Sequence, residues 1–114
     1  MATRTVRTLD PDITIVSLTG RLNVGKNLSE AQTVIGELIQ FGARKLILDL
    51  TELDYIDSAS IGMLAGCHTE MQEAGGQVRI AGSKGPVQRT FQVIHMEQIM
   101  PVDATVDIAR QALS

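Results

Sequence analysis

The sequence predicts an α/β domain, a mixed and mostly parallel sheet of about five strands with about four helices packed mainly on one face. Three observations carry this prediction. Two short apolar-patterned segments near the N-terminus sit too close together to be anything but a hairpin. The run Leu46-Ile47-Leu48-Asp49-Leu50 is apolar almost without a break, the pattern of a strand buried on both faces. After that run, strand patterns alternate with helical ones, which calls for parallel pairing through right-handed crossovers.

The elements follow in order. Val6 to Leu9 reads as the first strand, Asp10-Pro11-Asp12 as a turn with φ fixed by proline, and Ile13 to Thr19 as the second strand. Ile13, Ile15 and Leu18 are expected to face inward. Gly20 to Asn27 is a loop, and a helix is expected from about Leu28 to Phe41. Its buried stripe is Leu28, Ala31, Ile35, Leu38 and Ile39, and Gly42 stops it. The central strand Lys45 to Leu50 runs into an acidic turn, and a second helix begins near Ser58. Ile61, Leu64, Ala65, His68 and Met71 recur at helical spacing on one face of it. Gly75-Gly76 ends this helix, and Val78 to Ala81 is the next strand. Pro86 suits the first turn of a third helix, whose apolar side is Val87, Phe91 and Ile94. Ile99 to Val102 reads as the last strand, and Asp103 as the cap of a terminal helix carrying Val106, Ala109, Ala112 and Leu113.

A chain of 114 residues forms one domain, 1–114, with a core that needs no staples. Aromatic residues make up only 3%, so Leu, Ile, Val, Ala and Met must build that core. A net charge of −3 without any basic block excludes direct nucleic-acid binding. The single cysteine, Cys67, excludes an internal disulfide and fits a reducing compartment. No apolar run approaches the roughly 20 residues that span a bilayer, and Met1-Ala2-Thr3-Arg4 does not open a signal peptide. The expected location is the cytoplasm.

Four motifs bear on chemistry. Gly20-Arg21-Leu22-Asn23-Val24-Gly25-Lys26-Asn27 comes within one residue of a phosphate-binding P-loop, with Asp49 in place to stand for the metal-holding aspartate. Asn27 nevertheless replaces the hydroxyl that ligates the metal, and Leu22 and Val24 are bulky where amides must wrap a phosphate. Cys67, His68 and His95 lack the spacing of a zinc site. No histidine is placed to activate a serine nucleophile, so no catalytic residue, metal or cofactor is expected. The fourth motif is Asp57-Ser58-Ala59-Ser60, which delivers a serine hydroxyl to a helix N-terminus at the end of the central strand. Asp or Ser there can simply cap free amides. Two further features point outward. Gly62 and Gly66 follow Ser58 at i+4 and i+8, and each costs a helix interior about 1 kcal/mol relative to alanine. That side-chain-free stripe lets another backbone approach, either the protein's own sheet or a partner's, and Met63 and Cys67 lay a second apolar strip beside it.

Leu48-Asp49-Leu50-Thr51 through Ile56-Asp57-Ser58-Ala59-Ser60-Ile61-Gly62 resembles the hallmark segment of STAS domains, and most closely that of the bacterial anti-sigma factor antagonists. The resemblance covers nearly the whole chain. It extends to Gly20-Arg21-Leu22-Asn23 after the second strand, Gly75-Gly76-Gln77-Val78 before the fourth, and Ala81-Gly82-Ser83 through Val87, Arg89 and Phe91 at the third helix.

The resemblance implies a STAS-like fold and a binding module rather than an enzyme. By position, Ser58 is the serine that a partner, both anti-sigma factor and serine kinase, phosphorylates. The unphosphorylated form binds that partner and frees the sigma factor, and a serine phosphatase resets the switch. The partner-binding residues it implies are Asn23, Asp57, Ser58, Ala59, Ser60, Gly62 and Met63. Ser60 stands where the family usually has glycine, which leaves Ser60 open as an additional or alternative modified residue, and Asn23 stands where aspartate is common. A monomer or weak dimer away from the membrane is expected. The competing readings are a STAS subunit of a larger signalling or transport complex without serine phosphorylation, and a small nucleotide hydrolase using Gly20 to Asn27.

Overall fold

The computed structural model describes the backbone of residues 3–9 and all of residues 12–114. Two strands open the chain, β1 (Thr3–Leu9) and β2 (Ile13–Leu22), followed by α1 (Lys26–Gln40), β3 (Lys45–Asp49), β4 (Leu53–Ile56) and α2 (Ser58–Glu73). Then come β5 (Gln77–Ala81), α3 (Gly85–Val93), a single 3-10 turn (Met96–Gln98), β6 (Val102–Asp103) and α4 (Val106–Leu113). The strands order as β1-β2-β3-β5-β6, with β4 paired to the far end of β2. β1 and β2 are antiparallel, and every other pairing is parallel. The expected mixed, mostly parallel sheet is therefore present. Of the expected turn, Asp10 and Pro11 lie outside the described residues.

The apolar run behaves as its pattern requires. Leu46, Ile47 and Leu48 are fully buried, and successive side chains point to opposite faces of the sheet. On one face Leu46 and Leu48 join Val16, Leu18 and Leu22 under α1, α2 and α3. On the other, Ile47 joins Ile13, Ile15 and Ala81 beneath Ala109 and Leu113 of α4. Three helices on one face and one on the other accounts for "mainly one-sided" packing, and for the broken alternation in β2. Each fully buried Leu or Ile contributes about 1.5–3 kcal/mol.

The acidic turn after the central strand is shorter than expected, because Leu53–Ile56 is a strand. β2 spans ten residues against five in β3, so its last turn of chain overhangs. A bulge between Gly20 and Arg21 bends that overhang away and gives it a partner of its own, β4. Gly20 takes φ 80 there, a conformation that costs a side-chain-bearing residue more. Leu53 and Ile56 turn into the core while Asp54 and Tyr55 stay outside.

The last strand is also displaced. Met96 and Met100 are buried around the 3-10 turn, Ile99 is exposed, and β6 is only Val102–Asp103. Asp103 does not cap α4. Thr105 does, its hydroxyl oxygen accepting from the Ile108 amide at 3.1 Å. Asp103 instead receives the Arg79 guanidinium from β5. The buried face of α2 is rotated from the expected one: it is Ser60, Met63, Leu64, Cys67 and Met71, with Ile61, Ala65 and His68 half-buried at its margin. Among the described residues no helix is long and apolar enough to cross a membrane.

Candidate functional site

The site forms where β2 and β4 both end. Ile56 is buried and fixes the end of β4, and the extended backbone of Asp57 then turns the chain into α2. Asp57 is the N-cap. Its Oδ1 accepts from the Ser60 amide at 2.8 Å and from the Ser60 hydroxyl at 2.6 Å, satisfying a free donor of the first turn. Its Oδ2 accepts from the Val24 amide at 2.8 Å, and its own amide donates to the Leu22 carbonyl at 3.3 Å. The carboxylate thus ties the short loop Asn23-Val24-Gly25 to the start of α2. Hydrogen bonds from the Ser60 hydroxyl first, and then from the Val24 and Ser60 amides, hold the Asp57 carboxyl below its ordinary range.

With Asp57 occupied as the cap, Ser58 is left at the first helical position. It is exposed, and among the described residues its hydroxyl has no hydrogen-bond partner. Ala59 beside it is exposed as well. Gly62 and Gly66 face solvent, and a Cβ built on either would meet nothing within 4 Å. The glycine stripe is therefore open to a partner and is not used to pack the helix on its own sheet. Val24, 72% exposed, stands on the loop that Asp57 holds, next to half-buried Asn23. Behind the loop, the Arg21 guanidinium lies 4.0 Å above the Tyr55 ring.

The structure thus brings Asn23, Asp57, Ser58, Ala59 and Gly62 to one surface. Two of the expected partner-binding residues turn inward. Met63 is 7% exposed and packs in the core, with the Cys67 thiol 3.6 Å from its sulfur. Ser60 is completely buried and its hydroxyl donates to Asp57, so it acts within the cap and does not offer its oxygen for modification. Val24 belongs to this surface and was not anticipated. The signal was a large apolar residue between Asn23 and Gly25, in a loop with no core of its own to enter.

The P-loop reading does not survive the geometry. Gly20, Arg21 and Leu22 are strand, Leu22 is fully buried, and only Asn23 to Gly25 remain as loop before α1. Nothing of that length can wrap a phosphate. Lys26 lies exposed, 3.9 Å from Glu30 one turn on. Asp49 accepts from the Thr51 amide at 3.0 Å and from the Ser17 hydroxyl at 3.2 Å, spending its oxygens inside the fold. Burial pushes the Cys67 thiol up to about 11, far from a reactive thiolate.

The chain is similar to several known proteins. BtrV of Bordetella bronchiseptica, a candidate anti-sigma factor antagonist, is 26% identical over 98 residues, 86% of this chain and 84% of that one. The crystal structure of a candidate anti-sigma factor antagonist from Thermotoga maritima has a TM-score of 0.87 at 22% identity, covering 96% of this chain and 93% of the other. SpoIIAA of Bacillus, an anti-sigma factor antagonist solved in its phosphorylated form, has a TM-score of 0.75 at 19% identity, covering 98% and 100%. These structural likenesses establish the fold. The STAS domain profile matches residues 5–109, from the edge strand into the first half of α4 and across the whole Asp57–Ser58 surface. The chain belongs to the STAS domain family.

Proposed function

We propose that this protein is an anti-sigma factor antagonist whose unphosphorylated form binds an anti-sigma factor with serine kinase activity and so frees the sigma factor. Phosphorylation of Ser58 switches it off, and a serine phosphatase restores it. The observation that carries this reading is the Ser58 hydroxyl, exposed at the first position of α2 with the glycine stripe running down the helix below it. The names borne by BtrV, the Thermotoga protein and SpoIIAA support it.

The physical chemistry of the switch follows from the cap. A phosphoserine carries about −1.5 to −2 charges at neutral pH. At an exposed helix N-terminus the macrodipole favours such a charge by about 0.3–1 kcal/mol, with the Asp57 carboxylate opposing it. The carboxylate opposes only part of that gain and the phosphate stays in water, so the domain is expected to remain folded. The effect falls on the complex, where a surface shaped for a small neutral hydroxyl would have to bury a dianion without a partner. The residues that remain facing a partner are Asn23, Val24, Ser58, Ala59 and Gly62, while Asp57 holds them in register. The test is mass spectrometry of the protein from its own cells, joined to capture of its bound proteins. Phosphate on Ser58 together with an anti-sigma kinase captured only by the unmodified form is expected. Stable incorporation into a larger complex, with no phosphate under any growth condition, contradicts the proposal.

A further inference from the structure

One flank of α3 has no element of the fold laid over it. Pro86, Arg89, Thr90, Val93 and Ile94 line an open groove of about 350 Å3, and all five belong to α3 and its C-cap. Val87 and Phe91 are buried, which is the ordinary half of an amphipathic helix. The outward half is not the polar one expected. Val93 is 74% exposed and Ile94 38%, and the Thr90 hydroxyl donates to the Pro86 carbonyl at 2.9 Å, so it brings no free donor to the groove. Grouped apolar surface rimmed by charge marks an interaction site, whereas single exposed apolar residues do not.

The charge beside the groove has one sign. No acidic residue stands between Glu73 and Glu97, while Lys84 at the N-cap of α3 and Arg89 within it are both exposed. Among the described residues neither cation is held by a carboxylate. In a chain of net charge −3 this flank runs against the average, so it selects a covering segment that carries carboxylates beside apolar side chains. Its place in the fold selects the occupant. α3 packs on β4, the strand that leads through Asp57 into Ser58. β2, β3, β4 and β5 all run parallel, so α2 and α3 begin at the same end of the sheet. A stable interface takes about 20–30 residues and about 800 Å2 from each partner, far more than the few residues of the Ser58 surface supply. We propose, resting on the reading of Ser58 as the switch, that the anti-sigma partner reaches across to α3. There an acidic, amphipathic segment of it lies in the groove, its carboxylates on Lys84 and Arg89 and its apolar side chains on Val93 and Ile94.

The experiment titrates the anti-sigma kinase captured by the unmodified chain with wild type, Arg89→Gln, Val93→Ser and Gln40→Glu. Gln40→Glu changes the net charge as Arg89→Gln does, but at the exposed far end of α1. All four should melt alike, since every substituted side chain is exposed. Arg89→Gln and Val93→Ser should each bind about tenfold more weakly or worse, and Gln40→Glu as wild type does. The deficit of Arg89→Gln should shrink as salt is raised, and that of Val93→Ser should not. Binding of both α3 variants within about twofold of wild type overturns this inference while leaving Ser58 as the switch. An equal loss with Gln40→Glu overturns it too, because net charge alone would then set the affinity. If wild type captures no anti-sigma kinase, the reading of Ser58 and this inference fall together.

Discussion

The Asp57 carboxylate and the Val24 amide, 33 positions apart in sequence, meet at 2.8 Å. The same carboxylate caps α2 through Ser60, so one side chain fixes both the loop that displays Val24 and the helix turn that displays Ser58. The surface is assembled by a residue that need not itself be the modified one.

Asp57→Asn should lower the melting temperature at neutral pH and broaden the amide resonances of residues 23–25. An amide keeps one acceptor oxygen but cannot serve both the loop and the cap as the carboxylate does. The pH dependence has a definite sign. Because the folded carboxyl is held below its ordinary range, its stabilisation is fully present above about pH 4 and is lost as pH falls through the depressed folded value. The melting-temperature gap between wild type and Asp57→Asn should therefore be flat from neutral pH down to about 4 and close below it. A gap that widens on acidification would mean the carboxylate is not stabilised by these bonds.

Gly62→Ala should raise stability by about 1 kcal/mol, since the new methyl meets nothing and the helix gains propensity. Gly62→Leu should fold equally well yet lose partner affinity by tenfold or more, about 1.4 kcal/mol, because the side chain fills the gap the stripe leaves open. Chemical denaturation and a partner titration separate the two effects. Destabilisation by Ala would place the stripe against the protein itself.

Met63→Ala should cost about 2–5 kcal/mol, the range for removing a buried side chain of that size. Partner affinity measured on the fraction that remains folded should be unchanged. A variant of wild-type stability that binds weakly would return Met63 to the partner-facing set.

What the sequence disclosed depended on whether a residue's role was local. Leu46 to Leu50 could be read because burial on both faces leaves a continuous apolar run, and Pro86 because its missing N–H suits a first turn. β4 was hidden: Leu53 and Ile56 flank two exposed residues, so nothing alternates, and the strand exists only because β2 outruns β3. The face of α2 was read one strip away from the true one, because apolar and small residues surround that helix on nearly every side and periodicity could not choose between Ala65 and Met63. Ser60 gave no sign of burial, since its hydroxyl is satisfied by Asp57 and its identity is polar. Asp103 and Thr105 are both good caps in isolation, and it was Arg79, brought in by the β5–β6 pairing, that claimed Asp103. The Ser58 surface was legible because its elements are close in sequence, whereas Val24 joins it only through the distant Asp57.

The central claim is that phosphate on Ser58 acts on the complex and not on the fold. The direct measurement is a calorimetric titration of an anti-sigma factor kinase with the unmodified protein, the Ser58 phosphoprotein and Ser58→Ala, each first checked by thermal unfolding. The three forms should unfold within a few degrees of one another. The phosphoprotein should bind at least tenfold more weakly, a loss of about 1.4 kcal/mol or more, and Ser58→Ala should bind as tightly as the unmodified chain. A phosphoprotein that unfolds at markedly lower temperature, or that binds the kinase as tightly as the unmodified form, would contradict the account.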